Sequence, residues 1–202
     1  MICLVPAAAH AGHVERCPAS PPGVEMEENP GNGEAAGHAA GPGYDFVEVG
    51  WSALDATHSG DGPAVNVSVS ISDHAFLYGN ASFVDFEHNA GGADTWRLGA
   101  GLHTPVSTQW DVVVRGSAQH IDEGRHASYG FQYEAGLKGK VTPQLEAWIM
   151  AGQSNWRDDN FHDQTFVRLG VLYEFNHHWG VTADVVRGRH ETETFVGVSR
   201  LF

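Results

Sequence analysis

Positive charge is scarce in this sequence. Eleven Lys and Arg face 25 Asp and Glu, for a formal charge of −14, and the only lysines are Lys138 and Lys140. Nucleic acid is excluded as a partner on that ground, because its phosphates demand a surplus of Lys and Arg. Peripheral attachment to anionic lipid through basic residues is excluded for the same reason. Charge of either sign is scarce: 18% of residues are charged, against about a quarter in ordinary soluble domains. Long apolar runs are missing too. No stretch approaches the ~20 apolar residues of a membrane helix, so a membrane-embedded form of this chain has to be a closed barrel. The two cysteines, Cys3 and Cys17, build no metal or redox motif.

What is present divides at Tyr44. Residues 1–11 carry a short apolar run and then Ala9-His10-Ala11, an A-x-A-like cleavage pattern with no basic residues before it. We expect a truncated signal peptide remnant there. Residues 12–43 are rich in Pro, Gly, Ala and Glu, with little to bury, and are expected to be disordered.

From Tyr44 to Phe202 the hydrophobic period is 2. PAVNVSVSIS sets Val65, Val67, Val69 and Ile71 against Asn66, Ser68, Ser70 and Ser72, and TFVRLGVLYEF sets Val167, Leu169, Val171, Tyr173 and Phe175 against Arg168, Gly170 and Glu174. Such runs have about the 9–11 residues that a tilted strand needs to cross a bilayer. Segments fall at 44–54, 64–72, 75–86, 94–104, 108–119, 128–140, 144–155, 165–176, 178–187 and 193–202. In 75–86, Phe76 and Tyr78 are out of phase with Leu77 and Phe83. Tight turns alternate with longer polar loops, the layout of an outer-membrane barrel. The expected fold is all-β, a closed antiparallel transmembrane β-barrel over 44–202 with ten strands, eight being the alternative.

Soluble lipocalin-like barrels also alternate, with the apolar face turned inward. Three features favour the reverse. Aromatics gather at segment ends, with Trp110, Phe175, Trp179 and Phe202 near short turns and Trp96, Tyr129, Phe131 and Trp156 near long loops; such girdles mark membrane interfaces. The polar face carries a charge network expected to line the lumen: Glu48, Arg97, Asp111, Arg115, Glu134, Lys138, Glu146, Arg168, Glu174 and Asp184. The third feature is the final strand, which closes on Phe202.

WGVTADV, RLGVLYEFN and FVGVSRLF resemble the last three segments of small outer-membrane barrels of the OmpA/OmpX/opacity-protein type. More narrowly, they are similar to the proteobacterial activator-of-immunity or diffusible-signal outer-membrane family. The resemblance implies the bacterial outer membrane as location, Phe202 as an assembly signal for the barrel-assembly machinery, and a lumen filled by structural ion pairs. It has one departure: Arg200 stands where such barrels place an apolar or aromatic residue. Either Arg200 snorkels to the headgroups or the assembly signal is weaker than usual.

The long loops combine His with acid: Asp55, His58 and Asp61; Glu87 and His88; His120, Asp122, Glu123 and His126; Asp158, Asp159, His162 and Asp163; His190, Glu191 and Glu193. They lack ligand spacing on a rigid element, so neither a metal nor another cofactor is expected. They read as an acidic rim beside lipopolysaccharide and its bridging divalent cations. Ten strands is also the omptin count, and Asp158, Asp159, His162 and Asp163 match the residue types of that protease rim. Acid–base catalysis requires groups held rigidly at hydrogen-bond distance, which one short loop does not provide, and no Ser sits in a nucleophile motif. No catalytic residue is therefore assigned. The expected function is non-catalytic, in surface interaction or envelope integrity, with outer-membrane lipids, lipopolysaccharide and the assembly machinery as partners. A narrow passive diffusion pore with a charged selectivity region is the alternative, and an omptin-like rim hydrolase the third reading.

Overall fold

The computed structural model describes residues 41–56, 59–86, 91–124, 126–158, 163–189 and 191–202. The expectations for residues 1–40, and for His58, Glu87, His88, Asp159, His162 and His190, lie outside the described residues.

Ten strands follow in order. The first five are β1 (Phe46–Asp55), β2 (Ser59–Ser72), β3 (Ala75–Phe86), β4 (Gly92–Pro105) and β5 (Trp110–Asp122). The rest are β6 (Ala127–Thr142), β7 (Leu145–Trp156), β8 (Gln164–Asn176), β9 (Trp179–Arg187) and β10 (Thr192–Leu201). Each pairs antiparallel with the next, and β1 closes on β10 from Phe46↔Leu201 to Asp55↔Thr192. The barrel therefore has ten strands and not eight.

Several strands reach further than the alternation suggested, β2 and β5 furthest at one end. β2 starts at Ser59 rather than residue 64, and β5 runs to Asp122 rather than residue 119. SGDGP reads as a loop because Gly, Asp and Pro are turn residues. It is accommodated in β2 because the β2–β3 pairing skips Gly62 and Pro63, between Asp61↔Asp85 and Ala64↔Ser82; proline has no N–H to contribute to the ladder.

Burial is inverted relative to a soluble domain. Leu98, in the middle of β4, is 65% exposed, whereas Glu134, in the middle of β6, is 3% exposed. Val65, Val67, Val69 and Ile71 all face outward. A contiguous apolar exterior of this extent is unstable in water. In a bilayer the same exterior is solvated by acyl chains, while closure leaves no strand edge unpaired. This is a transmembrane barrel. A minority of apolar side chains points inward: Phe76, Val113 and Met150 cluster with Tyr44, and Tyr78 and Trp148 pack against them. The phase break in β3 is thereby explained, since Phe76 and Tyr78 share the lumen face while Leu77 and Phe83 face out.

Candidate functional site

The lumen is the candidate site, and strand register assembles it. Arg115 of β5 stands directly opposite Glu134 of β6, with Nε 2.8 Å from Oε1. The other oxygen of Glu134 takes Arg168 of β8 at 3.1 Å, and Arg168 also reaches Asp184 of β9 at 2.7 Å. Asp184 accepts a further hydrogen bond, 2.7 Å long, from the Trp148 indole N–H. Trp148 achieves this by lying across Gly170, its cross-strand partner, where any Cβ would collide with the indole. The column holds two guanidinium groups and two carboxylates. Buried charges need such complete pairing, because desolvating each costs several kcal/mol, of order.

A second ladder starts in β1. Glu48, Asn66, Asn80 and Arg97 occupy directly opposed positions on β1 to β4. Arg97 donates to Asn80 at 3.5 Å, Asn80 to Asn66 at 2.6 Å and Asn66 to Glu48 at 3.0 Å. The second Glu48 oxygen accepts from Thr182 at 2.7 Å and Ser199 at 3.0 Å, so neutral donors satisfy this buried carboxylate. At the other end Arg97 crosses the lumen to Glu193 of β10 at 3.1 Å. Towards the short-turn end, Lys138 lies 2.9 Å from Glu146, Lys140 lies 2.5 Å from Glu174, and Asp111 meets His103 Nδ1 at 2.9 Å.

The structure thus places Glu48, Arg97, Asp111, Arg115, Glu134, Lys138, Glu146, Arg168, Glu174 and Asp184 on the inner face. Glu193 requires a correction. Grouped from the sequence with the loop acids although it opens the segment 193–202, it belongs to the lumen, because β10 begins at Thr192. Lys140, Asn66, Asn80, Trp148 and Tyr44 were also missed. Lys140 could have been found from its parity with Lys138; the others carry no charge to mark them.

Trp96, Tyr129, Phe131, Phe175, Trp179 and Phe202 are exposed on the outer side, and Trp110 is half-buried there. Trp156 is a second correction. It shares parity with Glu146, Met150 and Ser154, and its ring covers Gly130 beside Gln119 on the lumen face. It lay just past the segment 144–155, where the alternation gave it no phase. Arg200 faces out, with its guanidinium 5.3 Å from the Trp179 ring and 5.6 Å from that of Phe202. There it stacks on interfacial aromatics as a cation.

Rim acids serve local structure. Asp163 accepts from the Trp156 backbone N–H at 2.8 Å, Asp122 from that of Gly124 at 2.8 Å, and Glu191 from the Gln164 amide. Asp61 of β2 takes the Trp51 indole N–H at 2.5 Å. His120, read as a loop residue, is in β5 and lies between the Trp96 and Tyr129 rings, at 5.4 and 4.4 Å. Among the described residues, no group of three or more His, Cys, Asp and Glu is placed to hold a metal ion.

Between these networks the lumen keeps a cavity of about 110 Å³, lined by residues that include Ser68, Phe76, Met150, Arg97 and Phe195. No protein-family model matches the chain, and no curated protein matches it. Solved structures similar to it include the KdgM porin, at 9% identity and a TM-score of 0.43 over 77% of this chain and 99% of that one. A de novo designed transmembrane β-barrel shares 12% identity, with a TM-score of 0.40 over 80% and 98%. The N-terminal β-barrel domain of Pseudomonas aeruginosa OprF shares 14%, with a TM-score of 0.35 over 80% and 100%. Likeness at this level bears on neither substrate nor role.

Proposed function

We propose that this protein is a non-catalytic barrel of the bacterial outer membrane, serving surface interaction or envelope integrity, with its lumen closed by its own side chains. The observation that carries this reading is the column Arg115–Glu134–Arg168–Asp184, which joins β5, β6, β8 and β9 across the interior. Narrow barrels are filled in this manner, and a closed barrel with an apolar exterior suits the outer membrane. Outer-membrane lipids meet the belt, lipopolysaccharide and its divalent cations meet the acidic rim, and the assembly machinery reads the last strand and Phe202.

The cavity beside Arg97 supports a second reading, a narrow diffusion pore whose selectivity is set by lumen charges. Single-channel recording of the refolded full-length chain in a planar bilayer separates the two. A filled lumen gives a heat-modifiable, silent barrel. Discrete steps whose ion preference shifts in Arg115→Ala would establish the pore instead.

A further inference from the structure

Gly43 and Tyr44 precede β1, whose neighbours are β2 and β10. Yet their partners lie on β3 to β7, beyond those neighbours. The Tyr44 ring stacks on Phe76 of β3, with centroids 4.8 Å apart, and on His103 of β4 at 4.0 Å. Its hydroxyl donates to Asp111 of β5 at 3.0 Å, and Lys138 Nζ of β6 sits 4.6 Å from the ring centroid. Gly43 donates its N–H to Glu146 of β7 at 2.9 Å, while its carbonyl accepts from Lys138 at 2.5 Å. The chain therefore crosses the short-turn mouth before entering the wall, and Tyr44 ends 6% exposed.

Strand formation requires none of this, since β1 pairs on both sides from Phe46 onward. The wall from β3 to β7 is instead matched to the crossing residues. Among the described residues Asp111 pairs with no Lys or Arg and is satisfied by Tyr44 and His103, and Lys138 divides its ammonium between Glu146 and the Gly43 carbonyl. We propose that Gly43–Tyr44 is a latch that shuts the short-turn mouth of the lumen, and that withdrawing it opens a path into the cavity. This deepens the filled-lumen reading and rests on it. At the short-turn end Glu48, Asp111, Glu146 and Glu174, with Asp45 beside Tyr44, stand against Lys138 and Lys140, so the opened state admits small cations ahead of anions.

The test uses the full-length chain with Cys3→Ser and Cys17→Ser, refolded in bilayers. It combines single-channel recording with thiol modification of Ser68→Cys, a buried cavity-lining position whose hydroxyl has no hydrogen-bond partner among the described residues. The latched protein is silent and its thiol slow to react. Tyr44→Ala gives cation-preferring steps and a modification rate raised at least about tenfold, the effect of one lost hydrogen bond or more. A folded, heat-modifiable Tyr44→Ala that is silent and unreactive overturns the latch and leaves the filled lumen standing. Conduction before any substitution overturns both. Should Tyr44→Ala not fold, Tyr44→Phe keeps the ring and removes only the bond to Asp111: faster modification upholds the latch, and an unchanged rate overturns it.

Discussion

The two faces of the same ten strands are built on opposite rules. Outside, Leu98, Leu102, Val114, Ile149 and Leu169 are all half or more exposed and present similar apolar surface to lipid. Inside, identities are specific: Glu134 serves Arg115 with one oxygen and Arg168 with the other, and Trp148 reaches Asp184 only across a glycine. The outer face makes the chain a membrane protein, and the inner face makes it this particular barrel. Exchange should therefore be tolerated outside within apolar chemistry and resisted inside even between similar polar groups.

The sharpest test is Glu134→Ala. It takes the carboxylate from Arg115 and leaves Arg168 with Asp184 alone, and breaking a buried ion pair from one side costs about 3–5 kcal/mol. Urea titration of folding into lipid vesicles should show that loss. A cost below about 1 kcal/mol would mean that water already screens the column, and the inner face would then be no more specific than the outer.

Next comes Leu98→Arg, which attacks the outer face by chemistry rather than by shape. Near the bilayer midplane an outward Arg costs about 2–4 kcal/mol, whereas on a soluble barrel's exterior it would be near neutral. The same vesicle titration reads it, and a neutral result would remove the belt from the membrane.

Period-2 patterning made the strands and the parity of Arg97, Arg115 and Arg168 legible, because side-chain direction along a strand is local. Pairing was not legible. Arg97 and Glu193 meet across the lumen between β4 and β10, and that proximity depends on strand tilt and stagger, which no single segment encodes. Glu193 was grouped with the loop acids, although it opens the segment 193–202, because Thr192 and Thr194 flank it without apolar alternation. Tyr44 was counted as the first residue of a strand, since nothing in GYDFVEV shows that its ring turns into the lumen ahead of β1.

Trp148→Phe sharpens the comparison at lower cost. The ring remains over Gly170, but Asp184 loses the indole N–H while keeping Arg168. Removing one donor from a buried acceptor costs about 1–2 kcal/mol. The size of the loss in urea midpoint should fall below that of Glu134→Ala, because the ion pair survives. An equal loss would show that packing of the indole, not charge satisfaction, organises this part of the lumen.

The smallest effect is expected where the outer face imitates the inner one. Tyr133 of β6 donates to Gln153 of β7 at 2.8 Å on the exposed side, and Gln153 donates in turn to Asn155 at 2.8 Å. Hydrogen bonds at membrane depth contribute about 0.6 kcal/mol on average, because the unfolded chain in the membrane also finds partners. Tyr133→Phe keeps the ring in the belt and leaves Gln153 its bond to Asn155, so the urea midpoint should barely move. A loss above about 2 kcal/mol, well beyond that average, would show that the outer wall also holds a specified polar pair, and the division of labour between the two faces would fail at that site.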